Sequence, residues 1–210
     1  QVIGADIDER TVELVNVGLE PFPGEKGLAE RLPEVVTAGR LRASVDVAGS
    51  VAGANVVVIA VPVVVDEHLK PDFRSLDSVA EAIAHGIRRG TLVILETTVP
   101  VGTTRGRLAR SISENSELEA GTDFLVAFSP ERVLTGRVFE DLRKYPKIVG
   151  GINQDSGERA AAFYRSVLEF DERPDLARKN GVWDVGPSEA AELVKLAETT
   201  YRDVNIALAN

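Results

Sequence analysis

The side chains best placed to do chemistry in this chain are Asp6, the hydroxyls of Thr97 and Thr98, the pair Glu131 and Arg132, and Lys195. Most of them stand where an apolar run breaks off. Glu96, Thr97 and Thr98 follow Leu92-Val93-Ile94-Leu95; Ser129-Pro130-Glu131-Arg132 follows the run from Asp123 to Phe128; Asp6 and Asp8 follow Val2 and Ile3. Hydroxyls and charged groups so placed are candidates to touch a ligand. Lys195 instead lies in a long helical pattern that is apolar on most sides, and a lysine enclosed there needs an anionic partner or loses its proton. Against that stands the ordinary reading of an ion-paired or solvated lysine. The 210 residues contain no cysteine, so no disulfide, thiolate metal ligand or cysteine nucleophile arises within them, and no metal site is expected.

Strands and helices must carry these groups. A continuous apolar run such as Leu92 to Leu95 is expected of a parallel strand covered on both faces. Val56 to Val61 is a second such strand, ended by Pro62, and Ala43–Val47, Lys147–Gly151 and Val182–Val185 read as shorter ones. Helical spacing runs through Val12 to Val17, Leu28 to Val36, Leu76 to Ile87, Arg105 to Ile112 (with Thr103 or Thr104 as its cap), Ser156 to Leu168 and Glu189 to Asn210. Alternating strands and helices imply a parallel α/β sheet, in which ligands bind outside the carboxyl ends of the strands. The groups at 96–98 and 129–132 fall at that rim, and Val63 to Val65 form either a ligand-facing loop or a plain buried shoulder. In a dinucleotide-binding sheet the acid ending the second strand takes the adenosine ribose hydroxyls, which makes Asp6 the candidate. The alternative is that Asp6 or Asp8 caps the next helix. The Gly-rich phosphate turn belongs about 20 residues earlier, and no G-x-G-x-x-G occurs in the chain.

A net charge of −9 without a basic stripe argues against nucleic acid or an anionic membrane as partner. No apolar run approaches the ~20 residues of a membrane span, and no signal peptide opens the sequence, so a cytoplasmic location is expected. Methionine is absent, even at position 1, as expected of a fragment or a partial chain. A helix as apolar all round as the last one should be covered by a second domain or subunit outside this sequence.

DIDERTVELVN, VIAVP, LETTVPVGTT, AFSPERVLTG, KIVGG and KLAETTYRDVNIALAN occur here in that order. Together they resemble the UDP-glucose/GDP-mannose dehydrogenase family, nucleotide-sugar 6-dehydrogenases, over nearly the whole chain. SPERVLTG with RDVNIALAN is most similar to the UDP-N-acetyl-mannosamine branch; the UDP-glucose branch tends to carry a second acid at the position of Thr135. The resemblance implies a Rossmann-type, doubly wound parallel α/β sheet over residues 1–186, lacking its first strand and Gly-rich turn. Residues 187–210 would begin a central helix that joins two domains and builds a homodimer. It implies oxidation of a UDP-sugar C6 alcohol to the acid, with NAD, through a cysteine-bound thiohemiacetal and thioester. Asp6, Val61, Pro62 and Thr98 would contact NAD. Thr98 would also assist a catalytic water, Glu131 would act as acid and base in thioester hydrolysis, and Lys195 would steady the oxyanion. Glu131, Arg132, Lys195 and Thr199 would line the substrate.

Two positions depart from the family: Val63 replaces a loop threonine and Thr199 an asparagine. The catalytic cysteine and the phosphate turn are not among these residues, so these residues alone are expected to be inactive. Two other readings compete. One is a related β-hydroxyacid dehydrogenase, which also uses a helix lysine. The other is a degenerate, non-catalytic module that binds NAD or a nucleotide.

Overall fold

The computed structural model describes residues 1–210. The chain opens with β1 (Val2–Ala5), α1 (Glu9–Asn16), α2 (Leu28–Thr37), β2 (Leu41–Ser44), α3 (Val47–Ala52) and β3 (Val56–Ile59). A small antiparallel pair, β4 (Val64–Val65) and β5 (Pro71–Asp72), precedes α4 (Arg74–Gly86) and β6 (Leu92–Leu95). Helix α5 follows, wound as a π-helix over Thr104–Ala109 and as an α-helix over Arg110–Ser116. Then come β7 (Leu125–Phe128), α6 (Val138–Lys144), β8 (Lys147–Gly151), α7 (Gln154–Val167), β9 (Val182–Pro187) and α8 (Ser188–Ala209).

Five strands form the main sheet in the order β3-β6-β7-β8-β9, while β1 and β2 pair in parallel as a separate two-stranded sheet. The architecture is the expected Rossmann-type α/β fold, with one change: β3, β6 and β7 are parallel, β8 runs antiparallel to β7, and β9 follows β8. The reversal has a cause in the connection, because α6 returns the chain to the same rim where β7 ended. Strand β6 is buried at every residue and alternates between two cores. Val93 and Leu95 join the larger core, and Leu92 and Ile94 join Ala160 and Tyr164 of α7 on the opposite face.

The expected strand at Ala43–Val47 lies earlier, at Leu41–Ser44, and Val47 begins a helix instead. Local capping decides this: the Ser44 hydroxyl accepts from Asp46 N (3.1 Å), and the Asp46 carboxylate accepts from Gly49 N (2.8 Å). The last helix forms as expected. Because β9 is antiparallel to β7, α8 starts at the far end of the sheet and climbs back to the carboxyl ends of β6 and β7.

Candidate functional site

Where α8 reaches the rim, Lys195 Nζ donates to the backbone carbonyl of Glu131 at 2.6 Å. The lysine is partly buried rather than enclosed, and its partner is a carbonyl rather than a carboxylate. The Glu131 carboxylate is exposed and turned onto its own loop, where it accepts from Val133 N. Arg132, the next residue, is fully engaged. Its guanidinium forms a two-pronged pair with Glu198 (2.8 Å each) and donates to Pro146 O (2.8 Å). That pairing holds the Glu198 carboxyl below the usual carboxylate range. Thr199 is the neighbour of Glu198 on the same helix and is partly buried.

The loop after β6 is tied to the loop after β7 through the backbone: Glu131 N donates to Glu96 O at 3.1 Å, and Glu96 N donates to Ile59 O at 2.9 Å. Thr98 is exposed at this loop. Thr97 is not a free ligand group, since its hydroxyl donates to Val61 O at 2.6 Å and so joins the loops after β3 and β6. Val61 packs against the larger core and Pro62 is exposed beside it. Under this rim lies a polar cluster that the sequence did not announce. The Glu96 carboxylate accepts from the buried Lys147 ammonium and from the Tyr164 hydroxyl (2.6 Å). Burial, the Glu96 charge and the hydrogen bond to it all push the Tyr164 hydroxyl up, so it remains a proton donor.

Asp6 is exposed at the end of β1, where one carboxylate oxygen accepts from Asp8 N at 2.9 Å. Asp8 itself is the helix cap, accepting from Arg10 N (3.1 Å) and from the Thr11 hydroxyl (2.7 Å). The two readings of these acids therefore divide between them: Asp8 caps α1 and Asp6 retains an unshared oxygen. Of the expected site residues, Glu131, Arg132 and Lys195 come together directly. Thr98 joins them through its loop, and Asp6, on the smaller sheet, makes no contact with them.

Two buried acids brace the rim and were invisible in the sequence. Glu25 accepts from Gly136 N (2.6 Å) and Val138 N (2.8 Å), fastening the end of SPERVLTG and the start of α6. Glu192, 0% exposed, accepts from Gly102 N (2.5 Å), Thr104 N (2.8 Å) and the Thr104 hydroxyl (2.6 Å). It, and not Thr103 or Thr104, caps α5; the Thr103 hydroxyl donates to Pro100 O instead.

A mostly parallel sheet with acids and hydroxyls at the carboxyl rim defines a dinucleotide-binding α/β domain of the dehydrogenase type. The comparisons make this specific. Residues 1–168 match the description "UDP-glucose/GDP-mannose dehydrogenase family, NAD binding domain", and the chain belongs to that family and carries its NAD-binding domain. Among curated proteins, the UDP-N-acetyl-D-mannosamine dehydrogenase of Pyrococcus horikoshii is 36% identical over 211 residues, covering 100% of this chain and 46% of that protein. The solved structure of the P. horikoshii UDP-D-ManNAc dehydrogenase superposes with a TM-score of 0.88 at 35% identity, over 99% of this chain and 46% of that one. An NDP-N-acetyl-D-galactosaminuronic acid dehydrogenase of Methanosarcina mazei Go1 gives 0.85 at 34% identity, over 100% and 43%. The chain thus spans about half the length of the relatives it matches.

Proposed function

We propose that this domain serves the NAD-dependent oxidation of the C6 alcohol of a UDP-sugar, UDP-N-acetyl-mannosamine first among them, to the uronic acid. The observation that carries this reading is the contact between Lys195 and the Glu131 loop, two motifs 64 residues apart meeting at the carboxyl rim. The names of the curated relatives point to the same sugar. NAD, when bound, accepts hydride.

The residues present fit two ends of that cofactor. Asp6 offers an exposed carboxylate with one oxygen unshared, suited to ribose hydroxyls, and Thr98 offers an exposed hydroxyl by the reacting end, with Val61 and Pro62 shaping the wall. Lys195 Nζ, held on the Glu131 carbonyl, can favour negative charge on a substrate oxygen. The exposed Glu131 carboxylate can hold and move a proton of an attacking water, and Thr98 can orient that water. Arg132 is committed to Glu198, so its part toward substrate is to fix the loop, and Thr199 lies one residue further along the helix.

The 210 residues hold no cysteine and no Gly-rich phosphate turn, so other residues must supply both. The open edges of β1 and β3 suit a further strand leading into that turn. Each pairs on one side only, and Val2 (62%) and Val58 (43%) are left exposed there. Residues 1–186 are then the NAD-binding domain and α8 starts a connecting helix. That helix mediates a homodimer, a reading supported by its exposed Leu193, Val204, Ile206 and Leu208, and the protein works in the cytoplasm. No helix is long and apolar enough to cross a membrane.

The test is to supply the full-length protein with NAD and, in turn, UDP-N-acetyl-mannosamine, UDP-glucose, GDP-mannose and short β-hydroxyacids. NADH formation with the UDP-sugar is expected. NADH with β-hydroxyacids alone would assign the other dehydrogenase class. NAD binding without oxidation of any alcohol would make it a non-catalytic module, the reading that Val63 and Thr199 favour.

A further inference from the structure

Helix α8 meets the rim through a stripe of four charged side chains spaced by three: Glu189, Glu192, Lys195 and Glu198. Glu189 pairs with Arg105 (2.6 Å), Glu192 takes the backbone of the turn at 102–104, Lys195 takes Glu131 O, and Glu198 takes Arg132. Three residues advance a helix by about 4.5 Å, so successive members grip successive levels of the two rim loops.

Glu192 stands apart from the others. It is the only member fully buried, and its carboxylate is satisfied by three donors, all from one turn 88 to 90 residues away. A helix N-terminus needs only a local hydroxyl or amide as cap, and Thr103 is at hand but points its hydroxyl to Pro100 O. Burying a carboxylate for the same purpose is costly and is accounted for if it sets the spacing between the turn and α8. Helix α5 begins at that turn with π geometry, a rare winding that recurs at functional sites.

We propose that Glu192 is a positioning residue: its carboxylate holds the turn at 102–104, and through it the preceding loop with Thr98, in register with Lys195 and the Glu131 loop. This rests on the dehydrogenase reading for its catalytic consequence, though not for its structural one. The test compares Glu192→Gln with Glu189→Gln in the full-length protein. Glu192→Gln places an amide donor against the donors of Gly102 or Thr104 without changing side-chain size. It should lower kcat on the order of a hundredfold, as small misplacements do, with NAD affinity near wild type. Glu189→Gln, which removes an ion pair at the surface of the same helix, should leave kcat unchanged.

Amide exchange should quicken at Gly102 and Thr104 and also at Glu131, whose amide Glu192 does not touch; a simple cap would alter the first two alone. Wild-type kcat in Glu192→Gln, equal losses in both variants, or unaltered exchange at Glu131 would overturn the proposal. Should Glu192→Gln not fold, Thr104→Val removes one of the bonds while keeping the shape; a reduced kcat with quicker exchange at Glu131 supports the proposal, and wild-type behaviour overturns it. Should the wild-type protein oxidise no nucleotide sugar, the functional reading fails, and exchange at Glu131 alone still decides the role of Glu192.

Discussion

The two halves of α8 have the same apolar periodicity and opposite surroundings. From Ser188 to Thr199 the helix is bound into the domain: Ala191 and Glu192 are fully buried, and each charged residue of its inner stripe has a partner on the rim. From Tyr201 onward every residue is exposed, with Tyr201 at 73% and Leu208 at 81%. An apolar helical face announces that something covers it and does not say what. The charged residues separate the halves. Where the helix has a partner within the chain, acids and a lysine recur every third residue; past Glu198 no such series continues.

The largest effect is expected at the anchored half. Gly150 of β8 lies beneath α8, and a Cβ there would meet Pro187 O at 2.5 Å and Ala191 Cβ at 3.0 Å. Gly150→Ala should therefore lift the start of α8 and destabilise the domain by about 1–3 kcal/mol, as overpacking does, measured by denaturant unfolding.

A smaller effect should come from pH. Arg132 and Arg105 hold Glu198 and Glu189 below the ordinary glutamate value of 4.5. A carboxylate whose folded value is lowered stabilises fully above its ordinary value, and that contribution is lost as pH falls through the folded one. Stability should thus decline as pH drops below 4.5, and Glu189→Gln with Glu198→Gln should flatten the decline. Both pairs are partly solvated, so each contributes at most about 1 kcal/mol.

The smallest stability change belongs to the free half: Leu208→Asp should leave the unfolding free energy of the isolated domain within about 0.5 kcal/mol. The same change should weaken self-association of the full-length protein, measured by sedimentation. A domain destabilised as much as by Gly150→Ala would mean that the second half of the helix is already packed in the single chain.

What could be read from the sequence follows the range of the forces involved. Leu92 to Leu95 was legible because an uninterrupted β-branched and aliphatic run has few other uses than a covered strand, and Lys147 to Gly151 because the pair Ile148 and Val149 runs into a Gly-Gly stop. Thr98, Glu131 and Lys195 were legible as rim or helix positions, and their meeting depended on motif order more than on spacing. Glu25 and Glu192 were not legible. An acid on an amphipathic helix or in a Pro/Gly-rich loop reads as solvent-facing, and nothing local reports donors 88 or 111 residues away. The same long reach hid α6, a seven-residue helix whose cap comes from Glu25 rather than from its own flank. The shift of β2 was a local competition between strand propensity and the capping pair Ser44 and Asp46.

The most direct test of the account is Lys195→Ala in the full-length protein, reading NAD affinity and the turnover of UDP-N-acetyl-mannosamine side by side. Turnover should fall by about a hundredfold or more, as when a group stabilising a developing charge is removed, with NAD bound as in wild type. Equal loss of binding and turnover would contradict it, leaving Lys195 a structural pin on the Glu131 carbonyl.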